Sequence, residues 1–202
     1  MIKISNVSKS FQNILLDNVS YEFKTGECYY LTGESGTGKT TLLNIIYGYD
    51  TEFEGNVLKK GRIEYMLQEY MLFENLTIAD NLRLKILSTE CDKTIEDVEL
   101  KKALMKVNLE VELDKKVNSL SGGEKQRLQL AQYVLTRPDI LLLDEPACKL
   151  DLNNKEKIYN VINDIFAEKT RIIVTHDEEV NFNNGICLEL REGKLWEKQK
   201  NG

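Results

Sequence analysis

The sequence predicts an α/β fold built on a mainly parallel central sheet, and three observations carry that prediction. Short apolar runs bounded by turn residues recur at 28–32, 140–143, 171–174 and 186–190. Between them lie stretches whose apolar residues follow helical spacing, as in Leu42, Leu43, Ile46 and Tyr47. Strands that alternate with helices are joined by crossovers, and crossovers build parallel sheets with helices on their faces. The length, 202 residues, suits one domain, since domains run to ~100–200 residues.

The elements follow in order. Residues 2–7 and 19–23 read as short strands, and 28–32 is a compact apolar strand that stops at Gly33. From Lys39 the spacing turns helical and ends at Gly48, a C-terminal cap. Residues 57–58 and 63–67 read as two strands with Lys60 and Gly61 as the turn between them. The sequence 77–80 has capping-box spacing ahead of an apolar-periodic stretch reaching Leu87, and 94–97 repeats it ahead of Leu100, Leu104 and Val107. Residues 69–118 are therefore expected to form a mostly helical insertion in a single domain spanning 1–202, whose α/β core is 1–68 and 119–202. Ser121 opens a helix to Thr136, stopped by Pro138. The remaining strands follow, with a helix at 154–167.

Composition narrows the function classes. The net charge is −6, which opposes a surface that wraps nucleic acid by bulk charge, so no nucleic-acid partner is expected. Cys28, Cys91, Cys148 and Cys187 include no pair at metal-ligand spacing, which suits a reduced cytosolic chain. The first residues hold no apolar secretory segment, and no run of ~18 apolar residues is long enough to span a bilayer. A role at a membrane would need another protein as anchor.

Two stretches carry chemistry. Gly33-Glu34-Ser35-Gly36-Thr37-Gly38-Lys39-Thr40, followed by Thr41, satisfies the phosphate-loop pattern. Its glycines let successive backbone N–H groups converge on one point, and the following helix adds its positive end. Lys39 can reach the β- and γ-phosphates of ATP, and the Thr40 hydroxyl can ligate Mg2+. A chance match in a chain this long is on the order of 1%, and this one lies after a strand and before a helix. The second stretch is the apolar run 140–143 followed by Asp144 and Glu145. Asp144 emerges where α/β sheets bind ligands and suits the Mg2+ shell. Glu145 can polarise an attacking water as general base.

A third stretch, Leu120-Ser121-Gly122-Gly123-Glu124-Lys125-Gln126, places a serine and two glycines at a helix start, another anion trap. It resembles the signature of the ATP-binding cassette (ABC) ATPases, a group of phosphate-loop NTPases, and the three motifs stand in that family's order. The resemblance covers essentially the whole chain and implies further roles. Phe11 resembles the aromatic that stacks on adenine, although a packed core aromatic is the alternative. Gln68 resembles the glutamine that senses Mg2+ and the attacking water. Asp151 matches a dimer-facing loop after the carboxylates, and His176, the one histidine of the sequence, matches a γ-phosphate switch. Two departures stand out: 39–68 is short, implying a trimmed antiparallel β subdomain, and Lys149 occupies a position where a small residue is usual.

The resemblance also implies how such a chain works. Ser121, Gly122, Gly123 and Glu124 would close over ATP held by a facing subunit, so the working form would be a homo- or heterodimer around two ATP molecules. It would sit on the inner face of the cell membrane and drive a separate integral membrane permease. The segment 68–82 resembles the lipoprotein-release, macrolide-export and bacteriocin-export group, which implies export of peptide or lipid-linked cargo. The alternative is an ABC ATPase on a non-transport partner, either a clamp on DNA or ribosomes or a transmitter of force to an extracytoplasmic hydrolase. The clamp members carry long coiled-coil insertions or two cassettes in one chain, and this sequence has neither.

Overall fold

The structure, a computed structural model, describes residues 1–88, 95–176 and 185–198. Its strands are β1 (Ile2–Ser10), β2 (Ile14–Phe23), β3 (Cys28–Thr32), β4 (Glu54–Lys59), β5 (Ile63–Met66), β6 (Ile140–Asp144), β7 (Thr170–Val174), β8 (Ile186–Arg191) and β9 (Lys194–Glu197). Its helices are α1 (Lys39–Tyr47), α2 (Ile78–Leu87), α3 (Asp97–Lys106), α4 (Gly122–Thr136) and α5 (Leu152–Ile165). Contacts group these into two compact units: 1–66, 139–146 and 168–202 in the first, 67–138 and 147–167 in the second.

The first unit holds two sheets. The larger has the order β5-β6-β7-β3-β8-β9 and is parallel except for the β8–β9 pair. Every residue of β6 and β7 is buried, which is why their sequences read as unbroken apolar runs rather than alternating ones. The smaller sheet, β2-β1-β4, is antiparallel, as the trimmed subdomain implied. β4 and β5 do not form a hairpin: β4 pairs with β1 and β5 with β6, so 60–62 carries the chain from one sheet to the other. At this passage the Arg62 N–H donates to Asp139 Oδ2 at 2.9 Å. β9 was not foreseen, because only Leu195 and Trp196 mark it among charged residues. It turns back from β8 through Glu192 and Gly193, both at positive φ, the twist that a two-residue hairpin requires.

The second unit is helical. Thr77 and Asp80 close the expected capping box on α2, and Ser121 and Glu124 close another on α4. The signal expected at 94–97 lies partly outside the described residues, and α3 takes Glu96 as its N-cap without a side-chain bond. Helix α5 starts at Leu152 and ends at Ile165. α4 packs on α2, α3 and α5 and buries Leu128, Leu130, Ala131 and Tyr133. The helical grouping by contacts is thus wider than the stretch 69–118. No helix among the described residues is long and apolar enough to cross a membrane.

Candidate functional site

In the first unit, β3 delivers the chain at Thr32 into the loop 33–38, and α1 leaves it. Gly33 has φ 141°, and a Cβ there would lie 2.4 Å from the Leu190 carbonyl oxygen, so no side chain fits. Gly38, at φ 102°, is the N-cap of α1; it offers no side-chain cap, and the first turn holds no acid. The first-turn N–H groups are therefore left for an anion, with the positive end of the helix behind them. The Thr37 hydroxyl ties the loop across itself by donating to the Glu34 carbonyl at 2.9 Å.

Lys39 is only 5% exposed. Its ammonium donates to the carbonyls of Gly33 at 2.9 Å and Glu34 at 2.7 Å, folded back over the loop. Burial pushes its pKa below the usual lysine range, against the opposing pull of the Glu145 and Asp144 charges. A buried cation on the same loop as an uncapped helix start suits a polyphosphate. Thr40 is exposed beside it, and Thr41 is half-buried.

Asp144 ends β6 and is 4% exposed. The Tyr65 hydroxyl donates to its Oδ2 at 3.4 Å; burial, then the Asp144 charge, keeps that phenol protonated by raising its pKa. Glu145 follows at φ 49°, a left-handed conformation that residues with a side chain adopt at some cost and that concentrates at functional sites. Its N–H donates to the Val174 carbonyl at 3.0 Å, and its Oε1 lies 3.1 Å from His176 Nε2. The structure thus brings together Asp144, Glu145 and His176, with Lys39 within reach of both carboxylate charges. Phe11 stands in the turn between β1 and β2, 69% exposed, which removes the packed-core alternative. Lys9, buried and paired with Asp50 at 3.0 Å, places its ammonium 5.2 Å from the centroid of that ring.

The other expected residues lie in the second unit. Ser121 caps α4, and the Glu124 carboxylate accepts the Ser121 N–H at 2.8 Å and its hydroxyl at 2.7 Å. The Ser121 hydroxyl, then its N–H, hold the Glu124 carboxyl below its ordinary value. Asp151 caps α5 by accepting the Asn154 N–H at 3.1 Å, which lowers its carboxyl likewise. Gln68 is exposed, and its amide donates to Cys148 Sγ at 3.8 Å. Among the described residues no cluster of three or more His, Cys, Asp or Glu is arranged to hold a metal. That donor set still fits Mg2+, which typically takes one or two carboxylates and completes its shell with water and phosphate oxygens; Asp144 and Thr40 are suited to it. Sequence reasoning missed Tyr65 and Lys9, whose roles depend on partners distant in the chain.

The family model described as ABC transporter matches residues 16–148. Two curated relatives are spermidine/putrescine import ATP-binding proteins PotA. The one from Spiroplasma citri is 35% identical over 195 residues, covering 89% of this chain and 55% of the relative. The one from Acetivibrio thermocellus is 32% identical over 212 residues, covering 94% and 60%. The chain therefore spans little more than half the length of these relatives. Among solved structures, a dimeric post-hydrolysis state of the ATP-binding cassette MJ0796 bound to ADP and Pi matches at TM-score 0.84 and 29% identity, with full coverage of both chains. A dimeric structure of MJ0796, a bacterial ABC transporter cassette, matches at TM-score 0.85 and 29% identity. The chain belongs to the ABC transporter family, as an ATPase domain of the ATP-binding cassette type.

Proposed function

We propose that this chain binds ATP with Mg2+ on the loop 33–41 and hydrolyses it as one half of a head-to-tail dimer. One observation carries the reading: the uncapped start of α1 and the desolvated Lys39 share a unit with the Glu145–His176 pair. Lys39 and the loop amides bind the phosphates, Thr40 and Asp144 would hold the metal, and Phe11 stacks on the base. Bound Mg2+ would neutralise charge on the phosphate oxygens. Glu145 takes the proton of the attacking water as its oxygen bonds to the γ-phosphorus and the bond to the β-phosphate oxygen breaks. His176 orients the Glu145 carboxylate and meets the γ-phosphate. Gln68 reports on the metal and the water. Ser121, Gly122, Gly123 and Glu124 serve the ATP of a facing copy, and Asp151 belongs to the loop that meets that copy.

The dimer drives a separate integral membrane permease and lies in the cytoplasm against the inner face of the membrane. Residues 69–118, the helical subdomain, receive the permease. Met71 and Phe73 support this, being 60% and 61% exposed in a loop, as suits a surface that a partner covers. The segment 68–82 supports an exporter of peptide or lipid-linked cargo. The polyamine-import names of the two relatives support a second reading, an importer. Co-purification of the chain from detergent-solubilised membranes tests both: an export permease or an import permease decides between them, and no membrane protein overturns the transport reading.

A further inference from the structure

Lys149 departs from the small residue usual at its place, and the second unit gives that cation a partner inside the chain. Its Nζ lies 5.0 Å from the centroid of the Tyr70 ring. The Tyr70 hydroxyl in turn donates to the Gly122 carbonyl at 3.2 Å. Gly122 opens α4, and a Cβ there would meet the Tyr70 hydroxyl at 3.5 Å and Leu150 Cδ2 at 3.9 Å. Two residues before Tyr70, the Gln68 amide donates to Cys148. Three segments distant in the chain therefore converge on one ring: 68–70, the turn 121–122 and the loop 148–150. Burial, and then Cys148, raise the Tyr70 phenol above its usual range, so the ring remains a neutral O–H donor whose face can take the ammonium.

We propose that Tyr70 and Lys149 form a latch that fixes the signature turn to the loop 147–151, with both as positioning residues for the anion trap at 121–123. The Gly122 carbonyl belongs to the first turn of α4, so tying it fixes the direction in which the neighbouring N–H groups point. A trap for phosphate depends on that aim. The inference rests on the proposed dimer, because the trap acts on the ATP of a facing copy.

The test uses the full chain in a Glu145→Gln background and has two arms. In the first, light scattering follows dimer formation against ATP concentration. Lys149→Met, which keeps the stem and removes the charge, is expected to raise the half-point roughly two- to fivefold, the worth of a partly exposed cation–π contact. Tyr70→Phe, which loses the bond to Gly122, is expected to raise it by a similar factor of roughly two to ten. Lys149→Arg should restore it, and binding of a fluorescent ATP analogue to the single chain should be unchanged in all three. An unmoved half-point, or an equal loss of nucleotide binding by the single chain, overturns the latch. The second arm needs no dimer and keeps the charge beside the thiol: maleimide labelling of Cys148, referenced to a Cys148→Ser chain, should quicken in Tyr70→Leu, which removes the ring but leaves the Lys149 ammonium, and not in Lys149→Arg. Equal rates overturn the latch. If Glu145→Gln alone never dimerises, the dimer reading falls while the labelling arm still decides whether the latch exists.

Discussion

Two helix starts in this molecule carry glycines, α1 before its first residue and α4 within its first turn, yet they are finished in opposite ways. α1 begins at Gly38 with no side-chain cap and no acid in its first turn. A cation, Lys39, is folded over the loop in front of it. α4 begins at Ser121 with its capping box closed by Glu124. The first start is left open for a polyphosphate and brings its own lysine. The second already satisfies its serine with an internal carboxylate, and only its glycines are free of side chains. Under the proposed function, the difference means that one trap binds an anion alone, while the other adds to a site supplied by another copy.

The largest effect should come from the open trap. Replacing Lys39 by Ala removes the one buried cation of the loop and is expected to lower ATP turnover at least ~100-fold, the scale of losing one aligned electrostatic group. Steady-state phosphate release measures it, and turnover within twofold of the parent chain would break the assignment.

A smaller effect sharpens the base end of the same site. Phe11→Ala should weaken ATP binding about 3- to 10-fold, the worth of one aromatic stack on a base, ~1 kcal/mol. Tripolyphosphate, which has no base, should bind unchanged. Calorimetry of both ligands checks the pair, and equal losses would mean that Phe11 acts on the loop rather than on the base.

The smallest effect concerns the closed trap. The folded chain holds the Glu124 carboxyl below its ordinary value, so the unfolded chain binds the proton more readily. The stability this gives is present above the ordinary glutamate pKa and is lost as pH falls through the lowered folded value. Thermal melts of the parent and Glu124→Gln should differ by a degree or so at neutral pH, roughly what a largely exposed cap allows. The gap should narrow at acid pH. A gap that widens with acid would reverse the assigned direction.

What was legible in the sequence was local. The capping box at Thr77, the helix start at Ser121, the glycine end of α1 and the buried strands β3, β6 and β7 are patterns within a few residues, and the structure contains each of them. The separate destinations of β4 and β5 were not legible, because strand pairing is decided by partners far along the chain. β9 escaped for a different reason: four residues with charged ends give no periodicity to read. The site divides similarly. Residues 33–41, Asp144 and Glu145 announce themselves by adjacency, whereas Tyr65 meets Asp144 across 79 positions and Tyr70 meets Gly122 across 52.

The contrast between the two helix starts rests on one claim, that a complete site needs the loop 33–41 of one copy and the turn 121–123 of another. Multi-angle light scattering of the Glu145→Gln chain with ATP and Mg2+ tests it most directly. Binding without turnover should hold the closed form, so the mass should double with ATP, remain single without nucleotide, and stay single when Ser121→Arg is added to block the second trap. A single-chain mass at millimolar ATP, or a dimer indifferent to the Ser121 change, would contradict it.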